Sequence, residues 1–392
     1  MGTTQHIAFI VPRFSEEGVL GGAETLIRNL AEHTVSTGRK VTLLTTCAES
    51  HFTWENTLPP GKKQVGKLSV EYFPVDEDRD ISSFLRIQTA ISNGGHFTQD
   101  DEKAWIRNSV NSQALYDHLR DHGGTYDRLI MGPYLFGLIF YASQIHPEKT
   151  FLIPCLHDEP FAYLHLMKEM FETVSGFLFN AKPEQDLACR LFHIPKEKCA
   201  IVGMGLGPFH VDPSAFANRY QLDKPYVLYS GRREPLKGTP LLIDYMQAFR
   251  QRTHQDVKLV FTGSGPIDAP PELEPHILDV GFVPEQEKHE AMAGARAFLH
   301  PSVNESFGIV LLESWLAQTP ALVHAKSDVL QWQCRRSGAG LWFKNYPEFE
   351  QELNLLLNNK GLNKEMGQDG RNYVIKEYAW EHVEQKLLSA FD

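Results

Sequence analysis

The sequence predicts an α/β protein made of two doubly wound parallel-sheet domains. Three observations predict it. His6–Pro12 (HIAFIVP) reads as a strand buried on both faces, and a Gly-Gly turn, an amphipathic segment and a second apolar run, Lys40–Thr46, follow it. Pro225–Ser230 (PYVLYS) opens a second series of the same kind. Between the two, Gly203–Lys224 is rich in Gly, Pro and polar residues, as an interdomain boundary is, and 392 residues exceed what one core usually holds.

Bulk composition bounds the function. At 42% hydrophobic and 22% charged residues the chain can build a core and is not disordered. A net charge of −11 argues against nucleic-acid binding, which needs a basic stripe, and against strong adsorption to anionic lipid. Five scattered cysteines, never in C-x-x-C, suit reduced thiols better than a disulfide framework or zinc site. The N-terminus lacks the basic and long apolar regions of a signal peptide. The charge-free stretch Leu129–Ile145 is cut by Gly132-Pro133 and Gly137, and falls short of the ~20 residues a span needs. Together these predict a cytoplasmic protein with at most peripheral membrane contact, at the inner face.

In the first domain, a loop over Arg13–Leu20 leads to Gly21-Gly22-Ala23-Glu24. Ala23, Leu26, Ile27, Leu30 and Ala31 then mark one apolar helix face. Adjacent glycines at a helix start allow close backbone approach to a ligand, or simply make a tight turn. Residues 47–125 are the least legible. Leu68–Val75 reads as a strand and Asp101–His122 as a helix. Asp76–Asp80 holds two overlapping D-x-D patterns, which suit a solvated loop better than a metal site. Strands at Arg128–Met131 and Thr150–Pro154 follow. The second leads into Cys155-Leu156-His157-Asp158, at the strand end where such sheets bind ligands. His157 there could meet a sugar hydroxyl or move a proton, or be a satisfied structural histidine. Ser175–Asn180, a helix from Lys182 and Ala200–Val202 complete the domain.

In the second domain, PYVLYS runs into Gly231-Arg232-Arg233-Glu234-Pro235-Leu236-Lys237-Gly238 and a helix over Pro240–Arg252. Fixed cations on a glycine-flanked loop suit a diphosphate, or form a solvated basic turn. Lys258–Gly265 ends in a G-x-G turn without the full dinucleotide spacing. A strand over Ile277–Pro284 and a helix over Glu285–Gly294 follow.

The stretch His300–Pro320 (HPSVNESFGIVLLESWLAQTP) carries the sharpest signal. Glu313 lies in an otherwise apolar helix, where a buried charge requires a partner. Glu305 and Glu313 are eight residues apart, ~12 Å along a helix. That is too far for the ~5–9.5 Å separation of glycosidase carboxylate pairs. They could instead hold two ends of one long ligand, with the helix N-terminus at Ser306-Phe307-Gly308 between them as a phosphate site. Spacing alone leaves a second reading open, in which Glu305 is a cap and Glu313 an exposed helical charge.

PSxxExFGxxxxE resembles the signature of the retaining glycosyltransferases of family 4, which have the two-domain GT-B fold. GGAE, His-Asp and GRxxxxKG occur in the order seen in that family. The resemblance implies two Rossmann-like domains facing across a cleft. These are an acceptor domain (1–205), a linker (206–223), a donor domain (224–375) and a last helix (376–392) that returns to the first domain. It implies a nucleotide diphosphate sugar (UDP or GDP) held by Arg232, Lys237, Gly263, Val283, Glu305, Ser306, Phe307, Gly308, Ile309 and Glu313, with Gly21 and Gly22 near the phosphates. Glu305 and His157 would orient the sugar, Arg232 and Lys237 would neutralise the leaving diphosphate, and Glu313 would hold the ribose. The expected reaction is retaining hexosyl transfer to a carbohydrate or lipid-linked acceptor, as in polysaccharide biosynthesis, with no cofactor and no metal. An epimerase of the same fold, or a non-catalytic sugar-nucleotide-binding partner subunit, are the alternatives.

Overall fold

Short runs of β-branched and aromatic residues bounded by turns become the strands. In this computed structural model, which describes residues 4–16 and 21–391, they form two sheets. The chain divides into two compact units, Met1–Gly205 with Trp380–Asp392, and Leu206–Ala379. Residues 17–20 of the loop expected over Arg13–Leu20 lie outside the described residues.

The first unit holds β1 (His6–Ile10), β2 (Lys40–Thr46), β3 (Gly61–Val65), β4 (Leu68–Phe73), β5 (Arg128–Met131), β6 (Thr150–Leu152), β7 (Gly176–Phe179) and β8 (Cys199–Ile201). Their order is β3-β4-β2-β1-β5-β6-β7-β8. All neighbours are parallel except β3 and β4, which form an antiparallel hairpin. The strand order reverses between β1 and β5, and the carboxyl ends beside such a reversal are where doubly wound sheets bind ligands. Helix Gly22–Ser36 buries Leu26, Ile27, Leu30 and Ala31, the face that the periodicity marks. The helix Trp380–Ser389 packs on it, with Trp380 stacked on His33 at 3.4 Å and Glu384 bonded to His33 Nδ1 at 2.8 Å.

One sequence expectation in this unit needs correction, and one strand goes beyond the expectations. The single helix expected over Asp101–His122 is two, Gln99–Arg107 and Gln113–His122. Asn111 breaks it, because its side-chain amide donates to the carbonyls of Ile106, Arg107 and Ser109, competing with the helical pattern. Ser112 then caps the second helix by accepting from the Leu115 amide. Ahead of the strand expected at Leu68–Val75, the chain adds β3 (GKKQV), a polar edge strand with no apolar alternation.

The second unit holds β9 (Tyr226–Ser230), β10 (Lys258–Thr262), β11 (Ile277–Asp279), β12 (Phe298–His300), β13 (Ala321–His324) and β14 (Gly340–Phe343). These are all parallel, in the order β11-β10-β9-β12-β13-β14, with the reversal between β9 and β12. Helix Ala215–Arg219 also belongs to this unit, and its Phe216 is fully buried against Tyr226. The strand expected over Ile277–Pro284 stops at Asp279. The chain turns there through Gly281 (φ 68°), whose amide is held by Asp279 Oδ1 at 2.9 Å. No helix among the described residues is long and apolar enough to cross a membrane.

The glycine turns after β9, β10 and β11 stack on one another. The Gly263 amide donates to the Gly281 carbonyl at 2.7 Å, Gly263 has φ 111°, and a side chain there would collide with the Gly231 carbonyl. Gly263→Ala should therefore destabilise the protein by about 2 kcal/mol or more, read as a lower urea midpoint with unchanged slope. An unchanged midpoint would show that the turn has room to spare.

Candidate functional site

The site residues expected in the second unit lie on the segments that follow the carboxyl ends of β9, β10, β11 and β12. β12 ends at His300, and the loop after it carries Glu305 to Lys237, which follows β9. The Lys237 Nζ lies 2.7 Å from Glu305 Oε1, and His300 Nε2 lies 3.7 Å from the same oxygen. Gly238 seats the Lys237 loop against the Pro301 carbonyl, at a separation of 2.6 Å for any added Cβ. The buried His300 ring has no hydrogen-bond partner on either nitrogen, and sequence reasoning gave it no role. Burial drives its imidazole down to about 4, with the Lys237 charge assisting and Glu305 opposing.

Helix Ile309–Leu316 begins at Gly308, which adopts φ 82°. Phe307 is buried edge-on against Tyr378, so the chain enters the helix in a fixed direction. The first amides of this helix have no carbonyl one turn back, so its N-terminus offers N–H donors and the positive dipole end. Ser306 and Ile309 flank that end and are half-buried.

Glu313 is only 7% exposed on this helix. Its required partners come from helix Glu285–Gly294: Lys288 Nζ lies 2.8 Å from its carboxylate and His289 Nε2 3.9 Å away. Burial pushes the carboxyl up, but His289 and Lys288 together outweigh it and hold the group below the usual carboxylate range. The His289 ring is fixed by stacking on Phe209 at 3.7 Å. Glu313 is thus a buried, paired carboxylate rather than an exposed helical charge. Lys288 went unremarked in the sequence; its position soon after the Val283 loop, where Val283 is buried, was the available signal.

The two arginines differ. Arg232 is half-exposed, with Nη2 3.7 Å from Glu234. Arg233, to which the sequence assigned no role, is buried. Its Nε donates to Gly265 O at 2.7 Å and its fork grips Asp279 at 3.1 and 3.1 Å, which holds the glycine turns together.

In the first unit, Gly21 caps helix Gly22–Ser36, accepting from the Thr25 amide at 3.0 Å, and Gly22 is exposed. Beside them the buried Arg13 pairs with Glu24 at 3.0 Å and donates to Glu49 O at 2.9 Å, an arrangement absent from the sequence reading. His157 follows β6, part-exposed, with Nδ1 3.5 Å from Glu159 Oε1. Its loop is pinned by Glu184, whose carboxylate accepts from the Leu156 and Asn180 amides at 2.7 and 2.6 Å.

The two ends of the acidic run Asp76–Asp80 are used structurally. Asp76 accepts from the Gln113 amide at 3.0 and 3.1 Å, and Asp80 caps helix Ile81–Ser92 through the Ser83 amide at 2.9 Å. Among the described residues one group has metal-holding geometry: ligand atoms of Glu285, His289 and Glu313 lie within 4.8 Å of one another. There the Lys288 ammonium already engages Glu313 and would repel a dication. The five cysteines are free, and Cys189 and Cys199 place their sulfurs 4.0 Å apart.

Comparison with known proteins finds that residues 212–373 match the model of the glycosyl transferases group 1 family. Over these residues, less than half of the chain, the protein is similar to that family. An uncharacterized glycosyltransferase of Methanocaldococcus jannaschii is 23% identical over 272 residues, 64% of this chain and 68% of that protein. The GPI3 subunit of yeast phosphatidylinositol N-acetylglucosaminyltransferase is 32% identical over 111 residues, only 24% of its own length. Among solved structures, sucrose-phosphate synthase from Thermosynechococcus elongatus superposes with TM-score 0.72 at 15% identity, covering 99% of this chain and 98% of that one. Anabaena HepE in complex with UDP-glucose gives 0.66 at 16% identity over 98% of each chain. These likenesses to solved structures establish the GT-B fold.

The buried His300 sets a pH dependence. Its folded pKa lies below the unfolded value of about 6.5, so the stability it contributes is present above that value and is lost as pH falls toward 4. His300→Gln should lose less stability than wild type between about pH 7 and about pH 4, by up to ~3 kcal/mol in urea titrations. Parallel acid limbs would contradict the assignment.

Proposed function

We propose that the protein is a retaining glycosyltransferase. It moves a hexose-type sugar from a nucleotide diphosphate sugar, UDP- or GDP-linked, to an acceptor hydroxyl in glycan, polysaccharide or glycolipid biosynthesis. The observation that carries the proposal is a pair of held carboxylates flanking one helix N-terminus in sequence. Glu305 is held by Lys237 and Glu313 by Lys288, with an open helix N-terminus between them in sequence.

In this reading the diphosphate lies at the Phe307–Ile309 amides, and Glu313, kept ionised by its neighbours, accepts from the ribose hydroxyls. Glu305 accepts from the sugar. Because its Oε1 is bonded to Lys237, Glu305 is a weak nucleophile and serves as a positioning and charge-balancing group. The C–O bond to the diphosphate breaks as the acceptor hydroxyl attacks from the same face, and its proton passes to a phosphate oxygen. Lys237 and Arg232 offset the charge that develops on the leaving group. His157 and the Gly21-Gly22 turn are the first unit's proposed contribution to acceptor and sugar. HepE, of the same fold, was solved with UDP-glucose, which makes uridine donors the first to test.

Glu313→Ala should raise the dissociation constant for the nucleotide at least ~10-fold by calorimetry while the circular dichroism spectrum is unchanged. Equal affinity would remove Glu313 from the site. We also propose that side-chain cations replace a metal, so transfer should persist in EDTA. Loss of transfer in EDTA, restored by manganese, would overturn that part. Product analysis with donor alone separates transfer from epimerisation.

A further inference from the structure

The first unit contains a cavity of about 560 Å³ that the donor site does not use. This volume falls in the ~300–1,000 Å³ range of small-molecule sites. It opens between helices Gln113–His122 and Gly137–Ser143, under the loop that follows β4. Its floor is rigid: the buried Tyr116 donates to Asn111 Oδ1 at 2.7 Å, and the buried Asn111 amide is spent on three backbone carbonyls.

The charges around it are unevenly satisfied. Arg120 is paired with Asp117 at 2.6 Å, and Asp76 is consumed by the Gln113 amide. Arg79 and Arg107 have no carboxylate within 4.0 Å among the described residues. Arg79 is half-buried, with its Nε fixed on Asn108 O at 3.1 Å, so its outer nitrogens are held in place without an anion. Holding a partly desolvated guanidinium without a counter-ion is unfavourable, as the lowered Arg79 pKa also indicates, and a bound anion relieves that cost. Guanidinium forks match phosphate oxygens in geometry. Beside the two cations, the lining residues Gln113, Gln144, Tyr141 and Asp78 offer amide, phenol and carboxylate groups suited to hydroxyls.

We propose that this cavity binds a phosphorylated sugar or polyol, with the phosphate on Arg79 and Arg107 and the hydroxyls toward the glutamines. The assignment goes beyond the donor-site reading and does not depend on it.

The test is calorimetric titration of the full chain with glucose 6-phosphate, glucose and inorganic phosphate, each with and without UDP. Glucose 6-phosphate should bind saturably and be unaffected by UDP. Arg107→Ala, at an exposed position, should weaken it at least ~10-fold and leave UDP binding as in wild type. Four outcomes would overturn the proposal: no saturation by about 10 mM, an affinity unchanged in Arg107→Ala, displacement by UDP, or inorganic phosphate binding as tightly as the sugar phosphate. Sugar-phosphate binding in a protein that fails to bind any nucleotide would sink the donor reading alone.

Discussion

The second unit depends on keeping a carboxylate charged inside a helix that is otherwise apolar. Leu311, Leu312, Trp315 and Leu316 are all buried, and Trp315 fills the core with its Nε1 donating to Ala339 O at 3.0 Å. Glu313 shares that environment, where an isolated carboxylate would be expected to take up a proton. It stays ionised because Lys288 and His289 reach it from one neighbouring helix. Those two residues are themselves fixed, His289 by Phe209 and the helix by Arg219, which pairs with Glu287 and Glu290 at 3.1 and 3.1 Å. A packing requirement and an electrostatic one are met by the same contact between two helices.

The same logic repeats at Glu305 with a different balance. Lys237 supplies the charge, and the buried His300 excludes water while staying neutral, so the pair sits beside a dry wall. Charges fixed in advance in this way need little reorganisation to meet a charged ligand. The supporting structure is largely backbone. The glycine turns after β9, β10 and β11 are locked by Arg233 and Asp279, so the loops bearing Arg232 and Val283 leave a stiff platform.

Much of this was legible in the sequence because the physics is local. Runs such as HIAFIVP, KVTLLTT and PYVLYS can only be buried strands, and the apolar face from Leu26 to Ala31 can only pack inward. Glu313 announced its need for a partner by standing in an apolar helix. What stayed hidden depended on distant contacts. The edge strand GKKQV has no alternation, because its residues are mostly exposed and only its pairing with β4 defines it. The helix break at Asn111 comes from a side chain competing for carbonyls, which composition does not reveal. Lys288 and His300 look ordinary in sequence and acquire meaning only when the fold delivers them to Glu313 and Glu305. Arg233 has no role that its sequence position assigns until Asp279 claims it.

The central claim is that this pair of held carboxylates grips a nucleotide sugar around the helix end at Gly308. A crystal of the protein soaked with UDP-glucose tests it most directly. The account predicts diphosphate density at the Phe307–Ile309 amides, with the ribose hydroxyls on Glu313. Donor density away from that helix end, with Glu313 still bound only by Lys288 and His289, would contradict it.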